Sequence, residues 1–233
     1  LYSAITRINN PGLNIMTIED PVEYEIKGIT QVQVNREAGL TFASAMRSFL
    51  RQDPDIIMVG EIRDQETAEL AIQASLTGHL VFSTLHTNQA AGTIPRLLDL
   101  GAEPFLLASS LSLVVGQRIA RRICPNCREE YQPDKTNLDE LGAVLGKLLP
   151  TKKEGIKFFR GKGCEQCNNT GYYGRVGIFE VLSVSEKIVR LILERAPAGE
   201  IEKQAVEEGM MTMLQDGYLR VVEGVSTMEE VVR

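Results

Sequence analysis

The sequence has no apolar run long enough to cross a bilayer, no internal repeat and no low-complexity tract. Its longest apolar run, residues 105–116, holds three serines and falls short of a membrane span. No signal peptide opens the chain, so a cytoplasmic protein, or one peripheral to a membrane, is expected. An apolar content of 43% beside 24% charged residues rules out general disorder. An excess of one charge is lacking too: the net charge of -6 offers no general attraction for nucleic acid. The balance is uneven, however. Residues 118–170 carry 11 Lys and Arg against 7 Asp and Glu, a net +4, which leaves -10 for the remainder. A phosphate-cradling G-x-x-x-x-G-K-[ST] loop is also missing; residues 142–147 and 155–162 have glycine and lysine at the wrong spacing. Cysteine is scarce, but its four copies form two Cys-x-x-Cys pairs, Cys124/Cys127 and Cys164/Cys167. In a cytoplasmic chain such pairs read as metal or redox sites rather than a disulfide framework.

What is present is a βαβ pattern. Ile56 to Val59 is wholly apolar, as in a parallel strand buried on both faces, and it stops at Gly60 before Glu61, Arg63 and Asp64. Leu13 to Ile18 and His79 to Leu85 read as further buried strands, and Gly28 to Asn35 as an extended segment with one wet face. Thr41 is placed to cap a helix carrying Phe42, Met46, Phe49 and Leu50 on one face. Asp64 is placed to cap another, with Ala68, Ala71, Ile72, Ser75 and Leu76 as its stripe. Leu1 to Asn9 and Pro104 to Ile123 are expected to be helical, as is most of the chain after Leu182, with breaks at Gly199, Gly209 and Gly224. The composition changes near Ile123. The expected division is an α/β core over 1–123, a tetracysteine module over 124–177 and a helical module over 178–233.

Three strands end alike: one in Glu19 and Asp20, one in Glu61, one in His86. Open α/β sheets bind ligands outside the carboxyl ends of their strands. Carboxylates, an imidazole and small hydroxyls converging there suit a phosphate, a divalent metal and an activated water. Each residue also has a plainer role. Glu19-Asp20-Pro21 can be a turn, His79 a structural histidine after Gly78, and Asp64 a helix cap worth ~1 kcal/mol.

These residues carry a resemblance. LRQDPDIIMVGEIRD (50–64) resembles the Walker B segment of the secretion ATPase superfamily that drives type II secretion and type IV pilus assembly. MTIEDPVE (16–23) resembles that family's acidic box and LTGHLVFSTLHTN (76–88) its histidine box. QRIARRIC, the cysteine pairs and GRVGIFEVL extend the likeness over essentially the whole chain. The resemblance implies a RecA-like P-loop core and a hexameric motor that hydrolyses ATP with Mg²⁺ and moves an inner-membrane platform protein. It makes Glu61 the carboxylate that polarises the attacking water, with Glu19 and Asp20 supporting metal and water. His79 and His86 would couple the site to its neighbours, and Glu23, Gly60, Arg63, Asp64 and Thr87 would lie around the nucleotide. Gly60 stands where many other P-loop ATPases carry aspartate, so Glu61 is expected to act through water. In that family the phosphate loop immediately precedes a segment like LYSAI. The chain is therefore expected to start just past its own loop, at Leu1, and to have little ATPase activity alone.

The spacing Cys-x2-Cys-x36-Cys-x2-Cys is that of a structural tetrahedral Zn²⁺ site, in which four thiolates leave no open position. The module further resembles the assembly and export branch, since pilus-retraction ATPases lack it. Phe158, Phe159, Tyr172 and Tyr173 read as a miniature core beside the second pair. Two rival readings stay open: a RecA-like nucleic-acid motor with a zinc ribbon, and a zinc-stabilised interaction domain without enzymatic activity.

Overall fold

The computed structural model describes residues 1–149 and 155–233. Lys152, Lys153 and Glu154 of the basic stretch lie outside the described residues. The chain forms two compact units: Leu1–Ser112 with Val184–Glu202, and Leu113–Ser183 with Lys203–Arg233. No helix among the described residues is long and apolar enough to cross a membrane.

The first unit is an α/β layer structure. Helix α1 (Tyr2–Ile8) leads to β1 (Ile15–Glu19) and β2 (Thr30–Gln33), followed by α2 (Phe42–Phe49) and β3 (Ile56–Val59). Then come α3 (Gln65–Leu76), β4 (Leu80–Ser83), α4 (Thr93–Asp99) and α5 (Pro104–Ser110). The strands form one parallel sheet in the order β2-β1-β3-β4. Every residue of β1 and β3 is buried, because both are interior strands covered on two faces. Ile18, Ile57 and Val59 pack on one side against Phe42, Met46 and Phe49 of α2 and Ala68 and Ala71 of α3. Ile15, Ile56 and Met58 pack on the other side with Ile5 of α1. Each large side chain buried in this way contributes ~1.5–3 kcal/mol.

Local signals explain the helix ends. Thr41 and Ser44 form a reciprocal capping box on α2. Asp64 accepts from the Thr67 N–H at 2.8 Å and caps α3. Strand β4 departs from expectation. It spans four residues and is half-open rather than buried, with Leu80 50% exposed, because it is the edge strand of the described sheet.

The second unit begins with a larger departure. Pro104 to Ile123 is not one helix: α5 ends at Ser110 and β5 (Leu113–Ile123) follows. Val114, Val115, Ile119 and Ile123 are β-branched and lose rotamer freedom in a helix, while an antiparallel partner accommodates them. That partner is β8 (Tyr172–Ser183), paired from Leu113↔Ser183 to Ile123↔Tyr172. Between them lie β6 (Arg128–Tyr131), α6 (Lys135–Leu145) and β7 (Phe158–Gly161), with β6 and β7 antiparallel. Helices α7 (Glu186–Leu193), α8 (Ala198–Glu207), α9 (Met213–Val222) and α10 (Met228–Val232) complete the chain, and α8 crosses the division between units at Glu202. Gly209 and Gly224 break the helices with φ of +102° and +68°, whereas Gly199 lies inside the first turn of α8. Leu141, Leu145, Phe158, Tyr218 and Val221 form the core of this unit. The Tyr218 hydroxyl is held by Glu140.

Gly161 permits the closest backbone approach here: a Cβ would lie 2.1 Å from the Gly171 carbonyl oxygen. Neither backbone can yield cheaply, because β7 is tied to β6 and Gly171 accepts the Cys124 N–H. Gly161→Ala is therefore expected to cost about 3 kcal/mol, read as a fall in the urea midpoint at constant slope. An unchanged midpoint would contradict this packing.

Candidate active site and metal centre

The parallel register sets the site. Ile18 pairs with Val59, so Glu19 and Gly60 emerge side by side where β1 and β3 end. A Cβ on Gly60 would meet the Ile18 carbonyl oxygen at 3.2 Å and Glu19 Cα at 3.3 Å, and the Gly60 N–H donates to that oxygen at 2.8 Å. A side chain at this position would wedge the two strands apart. Thr84, just past β4, donates from its hydroxyl to the Gly60 carbonyl at 2.6 Å, tying the third strand end to the same edge.

Glu61 is the centre of this edge. It is 8% exposed, and two basic groups meet at one of its oxygens. Arg63 Nε donates to Glu61 Oε2 at 2.5 Å, and His86 Nε2 lies 3.4 Å from that same oxygen. The hydrogen bond from Arg63 and the carboxylate's charge hold the guanidinium pKa above its ordinary value, with Asp20 adding to the effect. Asp20 also accepts from Arg36 at 3.4 Å.

Glu19 is 3% exposed and fully engaged. Its Oε1 accepts from the Thr17 hydroxyl at 2.5 Å and from Gln31 Nε2 at 3.1 Å, and its Oε2 accepts from the Tyr2 hydroxyl. Burial, the bond to Glu19 and the carboxylate's charge together push the Tyr2 phenol pKa up. These donors make Glu19 a fixed negative charge beneath the edge rather than a free ligand. Thr17 was legible, since it shares a strand face with Glu19 at a separation of two. Gln31 lies opposite Thr17 in the β1–β2 register, which only the fold reveals. Tyr2 comes from a different element and left no signal in the pattern.

The remaining candidates separate. Asp64 caps α3, and Thr87 shares a 3.1 Å contact with Thr93. Glu23 is exposed, and its backbone N–H donates to the Tyr2 hydroxyl at 3.1 Å. The structure does not bring His79 to this edge. It lies at the amino end of β4, where Nδ1 sits 2.8 Å from the Ala74 carbonyl and 3.0 Å from the Thr77 hydroxyl. Gly78, with φ of +103°, ends α3 and folds His79 back onto that helix's last turn.

The four cysteines meet in the second unit. Their Sγ atoms all lie within 4.8 Å of one another, with separations of 3.8 Å for Cys124–Cys164, 3.9 Å for Cys127–Cys167 and 3.7 Å for Cys164–Cys167. These are far beyond a disulfide bond. They match the edge of about 3.8 Å that a tetrahedron of thiolates has at 2.3 Å from a central Zn²⁺. The β6–β7 pairing creates the meeting: β6 leaves the first pair and β7 enters the second, closing the long insertion between them. Asn168 and Asn169 take left-handed φ of 49° and 59° to turn the second pair. Hydrogen bonds from Asn126 Nδ2 and the Cys167 N–H lower Cys164 to about 6, while desolvation raises Cys127 to about 12. Among the described residues this is the one group of three or more His, Cys, Asp or Glu side chains arranged to hold a metal ion.

A parallel sheet flanked by helices, with carboxylates and an imidazole at its carboxyl edge, places the first unit in the α/β class, whose open sheets take ligands at that edge. The chain belongs to the Type II/IV secretion system protein family, whose profile matches residues 1–233. It is 50% identical over 231 residues to the type IV pilus assembly ATPase PilB of Thermus thermophilus, covering 99% of this chain and 25% of that protein. It is 48% identical over 233 residues to the type II secretion system protein E of Pseudomonas aeruginosa, covering 100% of this chain and 45% of that protein. The chain thus spans less than half the length of these curated relatives. Among solved structures, the ADP-bound pilus retraction motor PilT superposes with a TM-score of 0.67 at 29% identity, covering 99% of this chain and 54% of that one. The DotB ATPase of Legionella pneumophila has the same fold, with a TM-score of 0.65 at 22% identity and coverage of 99% and 54%.

Tyr2→Phe would leave the buried Glu19 carboxylate without one of its three side-chain donors. The expected cost is ~1–3 kcal/mol in urea unfolding, against no change if the network carries no energy.

Proposed function

We propose that this chain carries the catalytic edge of a motor ATPase that powers type IV pilus assembly or type II protein secretion. The whole protein would hydrolyse Mg·ATP in a RecA-like core, act as a homo-hexamer in the cytoplasm, and drive a platform protein at the inner membrane. The observation that carries this reading is Glu61, a carboxylate buried at the end of a parallel strand with Arg63 and His86 meeting at one oxygen. Its family membership and its pilus and secretion ATPase relatives supply the class of reaction.

The roles follow from position. Glu61 accepts a proton from, or orients, the water that attacks the terminal phosphate. Glu19, locked by Tyr2, Thr17 and Gln31, fixes the field beneath that water. Mg²⁺ would come to this edge with the nucleotide phosphates, where Glu19, Asp20 and Glu61 supply the nearby negative charge. Cys124, Cys127, Cys164 and Cys167 hold Zn²⁺ in a closed structural site that staples the long insertion. Four cations of the basic stretch are paired within the unit, which reduces what it offers to a nucleic-acid motor. Arg121 pairs with Glu230, Lys157 with Glu130, and Arg160 and Lys162 with Glu129.

Glu61→Gln in the full-length protein is expected to lower kcat for ATP hydrolysis about 10²- to 10⁴-fold, with single-stranded DNA leaving the wild-type rate unchanged. Undiminished hydrolysis would remove Glu61 from the mechanism, and stimulation by DNA would favour the nucleic-acid motor. Elemental analysis is expected to find one zinc per chain. Chelation is expected to cost the second unit much of its protection from hydrogen exchange. A metal-free protein of full stability would contradict the zinc assignment.

A further inference from the structure

The pairing at Glu61 raises a chemical difficulty, and its solution assigns Arg63 a role of its own. The carboxylate is buried, and both groups that touch it stand on its solvent side: the Arg63 side chain is 60% exposed and that of His86 is 86% exposed. Both contact Oε2. A carboxylate oxygen that already accepts a guanidinium N–H offers one acceptor position fewer to an incoming water. In this arrangement Oε2 of Glu61 is engaged by Arg63 and faced by His86 rather than open to a water.

Arg63 is the exposed partner of the pair and Glu61 the buried one. Glu61 lies between two backbone anchors just past β3: the Gly60 N–H bonds to the Ile18 carbonyl at 2.8 Å and the Ile62 N–H to the Thr84 carbonyl at 3.0 Å. Arg63 lies in the short link before α3, where Asp20 adds to the effect of Glu61 on its charge. A terminal phosphate brought to this edge offers more negative charge than the carboxylate, and several oxygens that a planar guanidinium can grip in bidentate fashion.

We propose that Arg63 is a latch on Glu61: the guanidinium transfers from the carboxylate to the terminal phosphate of a bound nucleoside triphosphate, and the transfer frees Glu61 to act on water. Arg63 is thus a positioning residue that couples the presence of the third phosphate to the availability of the Glu61 carboxylate. The inference rests on the nucleotide reading given above and adds its regulation. It makes the carboxylate available only when there is a phosphate to attack, which suits a motor that must not cycle without its fuel.

A double-mutant cycle in the full-length protein tests it, with equilibrium affinities for a non-hydrolysable ATP analogue and for ADP measured on wild type, Glu61→Gln, Arg63→Gln and the double variant. With the carboxylate charge removed, the guanidinium no longer has to leave a partner. Glu61→Gln is therefore expected to bind the analogue about three- to tenfold tighter than wild type. That gain is expected to vanish in the Arg63→Gln background, and to be absent for ADP, which lacks the third phosphate. A merely structural Arg63 would lower stability without this triphosphate-specific coupling. Additive effects of the two substitutions, or equal coupling with ADP, would overturn the latch while leaving the nucleotide site intact. Failure of wild type to bind either nucleotide would overturn the nucleotide reading and the latch with it.

Discussion

The site depends on how closely β1 and β3 approach at their carboxyl ends. Their parallel register delivers Glu19 and Gly60 together, and the absence of a side chain on Gly60 lets the strands stay hydrogen-bonded to the last residue. An aspartate at that position would sit against the Ile18 carbonyl and the Glu19 backbone. The acidic side chain stands one residue onward, at Glu61, which reaches the same edge from beyond the strand. The glycine is a packing requirement first, and its effect on the site follows from that.

Around this seam, charge is arranged in two layers. Glu19 is saturated by neutral donors from three elements and cannot leave or bind elsewhere. Glu61 is met by two cationic or protonatable groups that solvent can reach. The buried layer is held by three donors and the outer layer is open to solvent. The tetracysteine centre belongs to the other unit and works by a different principle. There, β6–β7 pairing and left-handed asparagines bring two short turns together, where a metal can substitute for a large apolar core.

Much of this was legible in the sequence. The uninterrupted apolar run of Ile56 to Val59 marked an interior parallel strand, and Thr41 and Asp64 announced their helices. The two cysteine pairs identified each other by spacing alone. What stayed hidden was set by partners distant in sequence. Leu113 to Ile123 looked helical because it continues from a helix, and only its pairing with β8 selects the extended form. His79 and His86 flank one strand; the sequence favoured His86, at the carboxyl end, and offered His79 a structural role after Gly78, and the opposite ends of that strand do face different surroundings. The donors to Glu19 come from α1 and β2 as well as from its own strand, and no local pattern connects them.

The central claim is spatial: the terminal phosphate of a nucleotide belongs at the carboxyl edge of β1 and β3, one water away from Glu61. A structure of the full-length protein with Mg²⁺ and a non-hydrolysable ATP analogue tests this most directly. The account requires the third phosphate there, close enough for a single ordered water to bridge it to a Glu61 oxygen. A triphosphate seated on any other face, with Glu61 still closed off, would contradict it.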